Sequence, residues 1–188
     1  MIVINLFGGP GCGKSTMAAY IFSKLKMQHI NCELVTEFAK DKTWEHNKRA
    51  LACQPYVFGN QCYRIDKLKD QVDVIITDSP LFLAVFYNYD KSIEPEFTQM
   101  VLKKFNSFKN MNFFLIRNKK YNPIGRSQTE EEARALDNKI KSQLDSLHIE
   151  YGIINGDVKM ADEVIIPLIK NELDNSKKRG RKKKGGLY

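Results

Sequence analysis

The sequence predicts an α/β protein with a doubly wound, mostly parallel five-stranded sheet and helices on both faces. Short apolar runs alternate with segments of helical periodicity, and a glycine-rich turn joins the first run to the first helix. Of the 188 residues, 43% are hydrophobic and 28% are charged, which is typical of a globular domain with its own core. We therefore expect one folded domain over residues 1–174.

Five apolar runs are the predicted strands. The first, from Ile2 to Phe7, is rich in β-branched residues and ends at Gly8, as is typical of a buried parallel strand. The other four runs comprise residues 33–36, 72–77, 113–116 and 151–154. Because helical segments separate the runs, the strands are expected to be mostly parallel.

The predicted helices lie between these runs. Residues 14–27 carry apolar side chains at helical spacing, and residues 38–69 do so with a break near Pro55. Further helical segments cover residues 81–89, 96–108 and 162–173. Thr129 and Glu132 fit a capping box, which predicts a helix from there to about Leu147.

The composition changes sharply after Asn175. Seven Lys or Arg residues and no acidic residue lie from Lys177 to Lys184, whereas the net charge of the whole chain is +8, so the rest is almost neutral. We expect residues 175–188 to form a disordered basic tail whose partner is a polyanion such as DNA. Arg179-Gly180-Arg181 is similar to the core of an AT-hook, and a nonspecific basic tail is the alternative.

Cysteine spacing and hydropathy indicate the compartment in which the protein acts. The four cysteines, Cys12, Cys32, Cys53 and Cys62, have no CxxC spacing, which predicts reduced thiols without a disulfide framework or zinc site. No apolar run approaches the length of a membrane span, and the first residues lack the pattern of a signal peptide. The expectation is a soluble protein that acts inside a cell.

The glycine-rich turn is the clearest functional motif. It matches the pattern G-x-x-x-x-G-K-[ST] between a predicted strand and a predicted helix. Glycines let the backbone curl so that several N–H groups meet phosphate oxygens at once, and the helix adds its positive end. In this pattern Lys14 contacts the β- and γ-phosphates and Ser15 is a ligand of Mg²⁺. The predicted nucleotide-binding residues of this phosphate loop are Gly8, Gly9, Pro10, Gly11, Cys12, Gly13, Lys14 and Ser15.

Two acidic residues follow predicted strands. Asp78 ends the third strand, where a carboxylate can complete the Mg²⁺ site opposite the loop, and capping of the next helix is the alternative. Glu37 follows the second strand, at the edge where doubly wound sheets bind ligands. We expect Glu37 to accept the proton of an attacking hydroxyl, and a surface ion pair with Lys40 is the alternative.

A polar loop over residues 118–128 adds positive charge. Phosphoryl transfer builds negative charge on the transferred group, which an arginine on a closing loop stabilises. Arg126, in the middle of the loop, is the first candidate for this role, and a solvated basic loop is the alternative. The neighbouring basic residues are Arg117, Lys119, Lys120 and Arg134.

Residues 44–64 are rich in amides and aromatic rings, which can bind the edge and the face of a base. Phe58 shares the apolar helix face with Cys62 and Ile65, so we expect it in the core. Gln61 and Arg64 lie off that face and are the candidates for acceptor binding.

Together these motifs resemble the P-loop nucleoside and nucleotide kinases, among them the thymidylate kinase group, the ribosylnicotinamide kinases and the polynucleotide kinases. The stretches that carry the resemblance are GGPGCGKST, TEFAK, TDSP and the arginine-bearing YNPIGRSQTEEEAR. The likeness extends to small bacteriophage proteins over nearly the whole chain up to Asp174. Some phage P-loop kinases of this size are 5-hydroxymethyluracil DNA kinases.

The resemblance implies that the segment from Gly8 to Thr16 holds ATP, that Glu37 is the base and that Asp78 belongs to the Mg²⁺ site. It further implies a phage protein, acting in the cytoplasm of the host cell, that phosphorylates 5-hydroxymethyluracil in DNA as a step in thymidine hypermodification. Thymidylate kinases have Asp-Arg after the third strand, where this chain has Asp78 and Ser79, and this difference argues against a free monophosphate as acceptor. A free nucleoside or nucleotide kinase, and a DNA-associated ATPase without an acceptor, are the alternatives.

Overall fold

The fold is a five-stranded, fully parallel sheet with the strand order β2-β3-β1-β4-β5. The computed structural model describes residues 1–118, 121–122 and 129–184, and for residues 179–184 it describes the backbone. The predicted fold class is confirmed. The strands are β1 (Ile2–Phe7), β2 (Cys32–Val35), β3 (Val74–Thr77), β4 (Lys109–Ile116) and β5 (Gly152–Asn155).

Helices cover both faces of the sheet. A 3₁₀ turn over Leu81–Leu83 precedes α5, and a π-helical turn over Ala161–Ile165 precedes α8. The helices are α1 (Lys14–Met27), α2 (Phe38–Trp44), α3 (Lys48–Ala52), α4 (Gln54–Asp66), α5 (Ala84–Tyr87), α6 (Glu96–Phe105), α7 (Glu130–Ser146) and α8 (Ile166–Lys184). The capping box at Thr129 and Glu132 begins α7, as predicted.

Alternate residues of β1 divide the core into two layers. Ile4 and Leu6 pack on the side of α1 and α8, whereas Val3 and Phe7 pack on the side of α4, α6 and α7. Side chains alternate between the faces of a strand, so an unbroken apolar run is what a strand covered on both faces requires. Burial of each large apolar side chain contributes roughly 1.5–3 kcal/mol relative to exposure. The two layers therefore fix β1, and with it the turn that follows.

Several element boundaries differ from the prediction. The helical segment 38–69 is broken twice, at His46, which has a positive φ of 54°, and at Cys53. Pro55 lies in the first turn of α4, where its missing N–H costs no helical hydrogen bond. Residues 81–89 form a 3₁₀ turn and the short α5 instead of one helix, and α6 ends at Phe105 rather than at residue 108.

The last helix is longer than predicted. It continues to Lys184, whereas the predicted end was at Leu173. Lys and Arg are favourable helix residues, and positive charges near a helix C-terminus interact well with its dipole. The predicted division of the chain into a domain over residues 1–174 and a basic tail over residues 175–188 stays a prediction.

Candidate nucleotide and acceptor site

The phosphate loop connects β1 to α1 with a backbone that only glycine adopts easily. Gly8 and Gly13 have φ angles of 133° and 104°. A Cβ atom at Gly8 would lie 2.6 Å from the Cys12 Sγ atom, so a side chain there would displace the loop. Gly13 is the N-cap of α1, and the first turn of that helix therefore continues directly from the loop. This is the anion-binding geometry that the motif predicts.

The two polar side chains at the end of the loop face a common cavity. The Lys14 Nζ atom donates hydrogen bonds to the carbonyl oxygens of Gly8 at 2.6 Å and Gly9 at 2.8 Å. Ser15 is exposed in the first turn of α1. Lys14, Ser15 and Thr16 all line a cavity of about 560 Å³. We call it the central cavity.

The strand order places both predicted acidic residues at this cavity. Because β3 lies between β2 and β1, the residues that follow these three strands share one edge of the sheet. Glu37 and Asp78 both line the central cavity beside Lys14. The sheet therefore brings together the loop and the two carboxylates, which lie far apart in the sequence.

Asp78 has the character of a metal ligand. Only 5% of its surface is exposed, and its Oδ1 atom has no hydrogen-bond partner among the described residues. It does not cap the next helical turn, because Pro80 is the N-cap of the 3₁₀ turn over Leu81–Leu83 and no side chain caps that turn. A buried carboxylate oxygen without a partner is costly, and a cation would relieve that cost. Asp78 and the Ser15 hydroxyl thus fit Mg²⁺, which is typically held by one or two protein oxygens together with phosphate and water.

Glu37 lies at the N-cap of α2, yet its side chain makes no capping hydrogen bond. Burial raises the pKa of its carboxyl group, the positive charge of Lys14 opposes this shift, and the negative charge of Asp78 adds to it. A desolvated carboxyl in a cavity differs from the alternative of a surface ion pair with Lys40. A raised pKa suits a group that takes up a proton near neutral pH.

The two residues predicted to bind the acceptor also hold the turn that carries Glu37. Gln61 accepts a hydrogen bond from the Phe38 amide at 2.8 Å and donates one to the Thr36 carbonyl at 3.3 Å, so it brackets Glu37 on both sides. Arg64 donates to the same Thr36 carbonyl and pairs with Asp41. Gln61 also lines the central cavity, and direct binding of the acceptor by Gln61 or Arg64 stays a prediction.

Aromatic side chains form the far wall of the central cavity. Trp44 and Tyr89, which are 60% and 80% exposed, stand at the cavity together with Tyr87. Burial raises the pKa of the Tyr87 hydroxyl, and the nearby Glu37 carboxylate raises it further. Phe58 is buried and packs edge-on against Phe97, as predicted for a core residue, and it also reaches the cavity wall. Trp44 belongs to the segment 44–64 that was predicted to bind a base, whereas no prediction pointed to Tyr87 or Tyr89, because the cavity forms only when α2, α4 and α5 meet.

The basic residues near the loop have separate environments. Arg117, directly after β4, donates a hydrogen bond to the Pro10 carbonyl at 2.8 Å and forms an ion pair with Asp137 at 2.9 Å. Arg134 forms an exposed pair with Glu130 on α7. Arg126, the first candidate for charge stabilisation, lies outside the described residues, as do Lys119 and Lys120. The contact of Arg117 with Asp137 was not predicted from the sequence, because nothing in the pattern of α7 distinguishes Asp137 from the other acidic residues of that helix.

This combination of a parallel sheet, a glycine loop and a helix N-terminus defines the P-loop NTPase-like class of nucleotide-binding proteins. Within that class, residues 3–160 match the family described as AAA domain, and the chain belongs to this family. It is therefore a nucleotide-binding P-loop protein of the kinase or ATPase type. A comparison with curated proteins finds no match. Within the described ranges, none of the helices has the length and apolar character needed to cross a membrane.

Proposed function

We propose that this protein is an ATP- and Mg²⁺-dependent kinase that transfers a phosphoryl group to a hydroxyl bound in the central cavity. One observation carries the proposal: the half-buried Glu37 carboxyl lies in the same cavity as Lys14, Ser15 and Asp78. A hydrolase needs room for only a water molecule, whereas this cavity has a volume of about 560 Å³ and is lined by aromatic rings as well as by the phosphate loop.

The proposed reaction assigns a task to each side chain. The loop amides and Lys14 bind the triphosphate, and Ser15 and Asp78 hold Mg²⁺, which neutralises charge on the phosphates. Glu37 takes the proton of the acceptor hydroxyl while the hydroxyl oxygen bonds to the γ-phosphorus. The bond from that phosphorus to the β,γ-bridging oxygen breaks, and ADP leaves with the electron pair.

We further propose that the acceptor hydroxyl belongs to DNA, and in the narrowest form to 5-hydroxymethyluracil. Two features support a polymeric acceptor: Ser79 stands where an arginine would bind a free monophosphate, and seven basic residues lie between Lys177 and Lys184. The aromatic rings of Trp44, Tyr87 and Tyr89 give a base a surface on which to stack. A base in duplex DNA must leave the stack to enter, which costs a few kcal/mol.

The basic segment, residues 177–184, extends from the end of the sheet opposite the phosphate loop. Lys109, the first residue of β4, pairs with Glu172 and also donates a hydrogen bond to Ser176 on α8. The eight residues of β4 span roughly 25 Å from there to the loop side. We infer that the basic segment tethers a distant stretch of the same DNA instead of binding the reacting nucleotide. At 3.4 Å per base pair, a duplex shorter than roughly 8 base pairs cannot reach both places.

Two other functions remain candidates. Membership of the AAA domain family favours an ATPase, which would use DNA as a platform and phosphorylate nothing. The enclosed wall of the central cavity is also compatible with a kinase of free nucleosides or nucleotides, for which the basic segment would be incidental.

Transfer from γ-labelled ATP distinguishes the three functions. The acceptors are a long duplex with 5-hydroxymethyluracil, the same duplex with thymine, and free nucleosides and nucleotides. Label on the modified duplex alone supports the narrow proposal, whereas label on small molecules alone contradicts a DNA acceptor. DNA-stimulated release of phosphate without a labelled acceptor identifies an ATPase. Truncation after Asn175 should weaken activity on the long duplex, flatten its salt dependence and leave a duplex of about 6 base pairs unaffected.

A further inference from the structure

The phosphate loop is held from outside by a nearly buried ion pair. The side chains of Arg117 and Asp137 are 3% and 15% exposed. Asp137 Oδ1 accepts a very short hydrogen bond from the Gly9 amide, and Arg117 Nη1 donates one to the Pro10 carbonyl. The pair therefore fixes an N–H and a C=O group of adjacent loop residues at the same time.

The packing around the pair leaves no room for a looser arrangement. A Cβ atom at Gly9 would lie 2.5 Å from the Ala133 carbonyl oxygen and 2.9 Å from Asp137 Oδ1, so α7 rests directly on the loop. A Cβ atom at Gly11 would lie 3.2 Å from Arg117 Nη1. Two of the loop glycines thus allow the close approach of the pair, in addition to the curl of the backbone.

The Asp137 carboxylate lies against the phosphate loop, where its negative charge would disfavour nucleotide binding. The loop amides serve to bind the negative phosphates, and an uncompensated negative charge beside them would repel the ligand. Arg117 Nη2 and Nε lie 2.9 and 3.3 Å from Asp137 Oδ2 and supply the compensating charge. The carboxylate can then hold the Gly9 amide at a reduced electrostatic cost to nucleotide binding.

We propose that Arg117 and Asp137 are positioning residues for nucleotide binding: Asp137 braces the phosphate loop, and Arg117 neutralises that brace. In this proposal Arg117 holds the loop through its contacts with Asp137 and Pro10. It is not the arginine that closes on the transferred phosphoryl group. The proposal concerns ATP affinity alone, so it stands whether the protein is a kinase or an ATPase.

The main test measures ATP affinity of the full chain with Mg²⁺, by displacement of a fluorescent ATP analogue. Arg117→Gln leaves Asp137 unpaired beside the phosphates, and we expect ATP to bind roughly 10–100-fold more weakly. Adding Asp137→Asn to this variant removes the unpaired charge and should recover about tenfold. Lys109→Gln, which breaks an exposed ion pair at the other end of β4, and Asp145→Asn, elsewhere on α7, are the matched controls and should bind ATP normally.

Comparison of two single variants tests the brace without relying on Arg117→Gln. Asp137→Asn keeps an acceptor for the Gly9 amide, whereas Asp137→Ala removes it, so the Ala variant should bind ATP roughly 3–10-fold more weakly than the Asn variant. Urea unfolding without nucleotide establishes that each variant is folded. Equal ATP affinity of the Asn and Ala variants, or a folded Arg117→Gln variant that binds ATP like the wild type, would overturn the proposal.

Discussion

On the side of the phosphate loop that faces β2 and β3, acidic groups lie in an open cavity, whereas on the side that faces β4 and α7 opposite charges neutralise one another. Asp78 Oδ1 has no hydrogen-bond partner within the described part of the chain, and Glu37 is desolvated without a capping bond. Arg117 instead donates two hydrogen bonds to the Oδ2 atom of Asp137. We call these the acceptor side and the brace side.

We interpret the unpaired groups of the acceptor side as ligand-binding groups and the paired groups of the brace side as groups that hold the phosphate loop in place. Burial of an unpaired charge lowers stability, and folded proteins retain such a charge where a ligand will later provide its partner. A neutralised pair contributes little net stability, but loss of one partner leaves the other uncompensated. Substitutions of the two acidic residues on the acceptor side should therefore reduce activity without reducing stability, and substitutions that break the brace should reduce stability.

The largest expected effect is that of Glu37→Gln. Loss of the proton acceptor should lower kcat for phosphoryl transfer roughly 10²–10⁴-fold, while ATP binding stays close to normal. Glu33→Gln is the matched control, because Glu33 lies on β2, the strand that precedes Glu37, and pairs with Lys26 at the surface. Steady-state transfer and nucleotide displacement measure the two quantities. An active Glu37→Gln variant would remove Glu37 from the reaction and leave the acceptor side without its proposed base.

Asp78→Asn should have the next largest effect. The neutral amide is a weaker ligand of Mg²⁺ than the carboxylate, so we expect kcat to fall roughly 10²–10³-fold and the Mg²⁺ concentration for half-maximal activity to rise. The free energy of unfolding should not fall, since a buried unpaired charge is lost. Asp73→Asn, at the exposed opposite end of β3, is the control. Lower stability with unchanged Mg²⁺ dependence would give Asp78 a purely structural role.

Sequence prediction located the acidic groups of the acceptor side but not the contacts of the brace side. The phosphate loop, Glu37 and Asp78 were predictable because a short motif and the ends of apolar strands mark them locally. The contact of Asp137 with Gly9 joins residues 128 positions apart, and an acidic residue on an amphipathic helix carries no sign of such a contact. The contacts of Gln61 were not predictable for the same reason, because its partners Thr36 and Phe38 belong to the turn between β2 and α2.

Gln61→Ala tests whether the acceptor side depends on fixed geometry. Loss of both hydrogen bonds should lower the free energy of unfolding by about 1–3 kcal/mol. Displacement of Glu37 should lower kcat roughly 10–100-fold, while the KM for ATP is unchanged because the brace side is untouched. Gln99→Ala, on the exposed face of α6, is the control. An equal change in kcat and in the KM for ATP would contradict this separation of the two sides.

The smallest expected effect is the pH dependence that Glu37 gives to stability. Because the pKa of its carboxyl is raised in the folded protein, the folded state holds this proton more tightly than the unfolded state does. The resulting stabilisation is fully present below the unfolded pKa, about 4.3 for glutamate, and is lost as the pH rises through the higher folded pKa. Urea unfolding across this window should show a steeper decline for the wild type than for Glu37→Gln, which has no proton to lose. The rate of transfer should show the opposite trend, rising through the folded pKa as the carboxylate form accumulates. Identical stability profiles for the two proteins would place the Glu37 carboxyl in a solvated environment and remove the difference between the two sides of the loop.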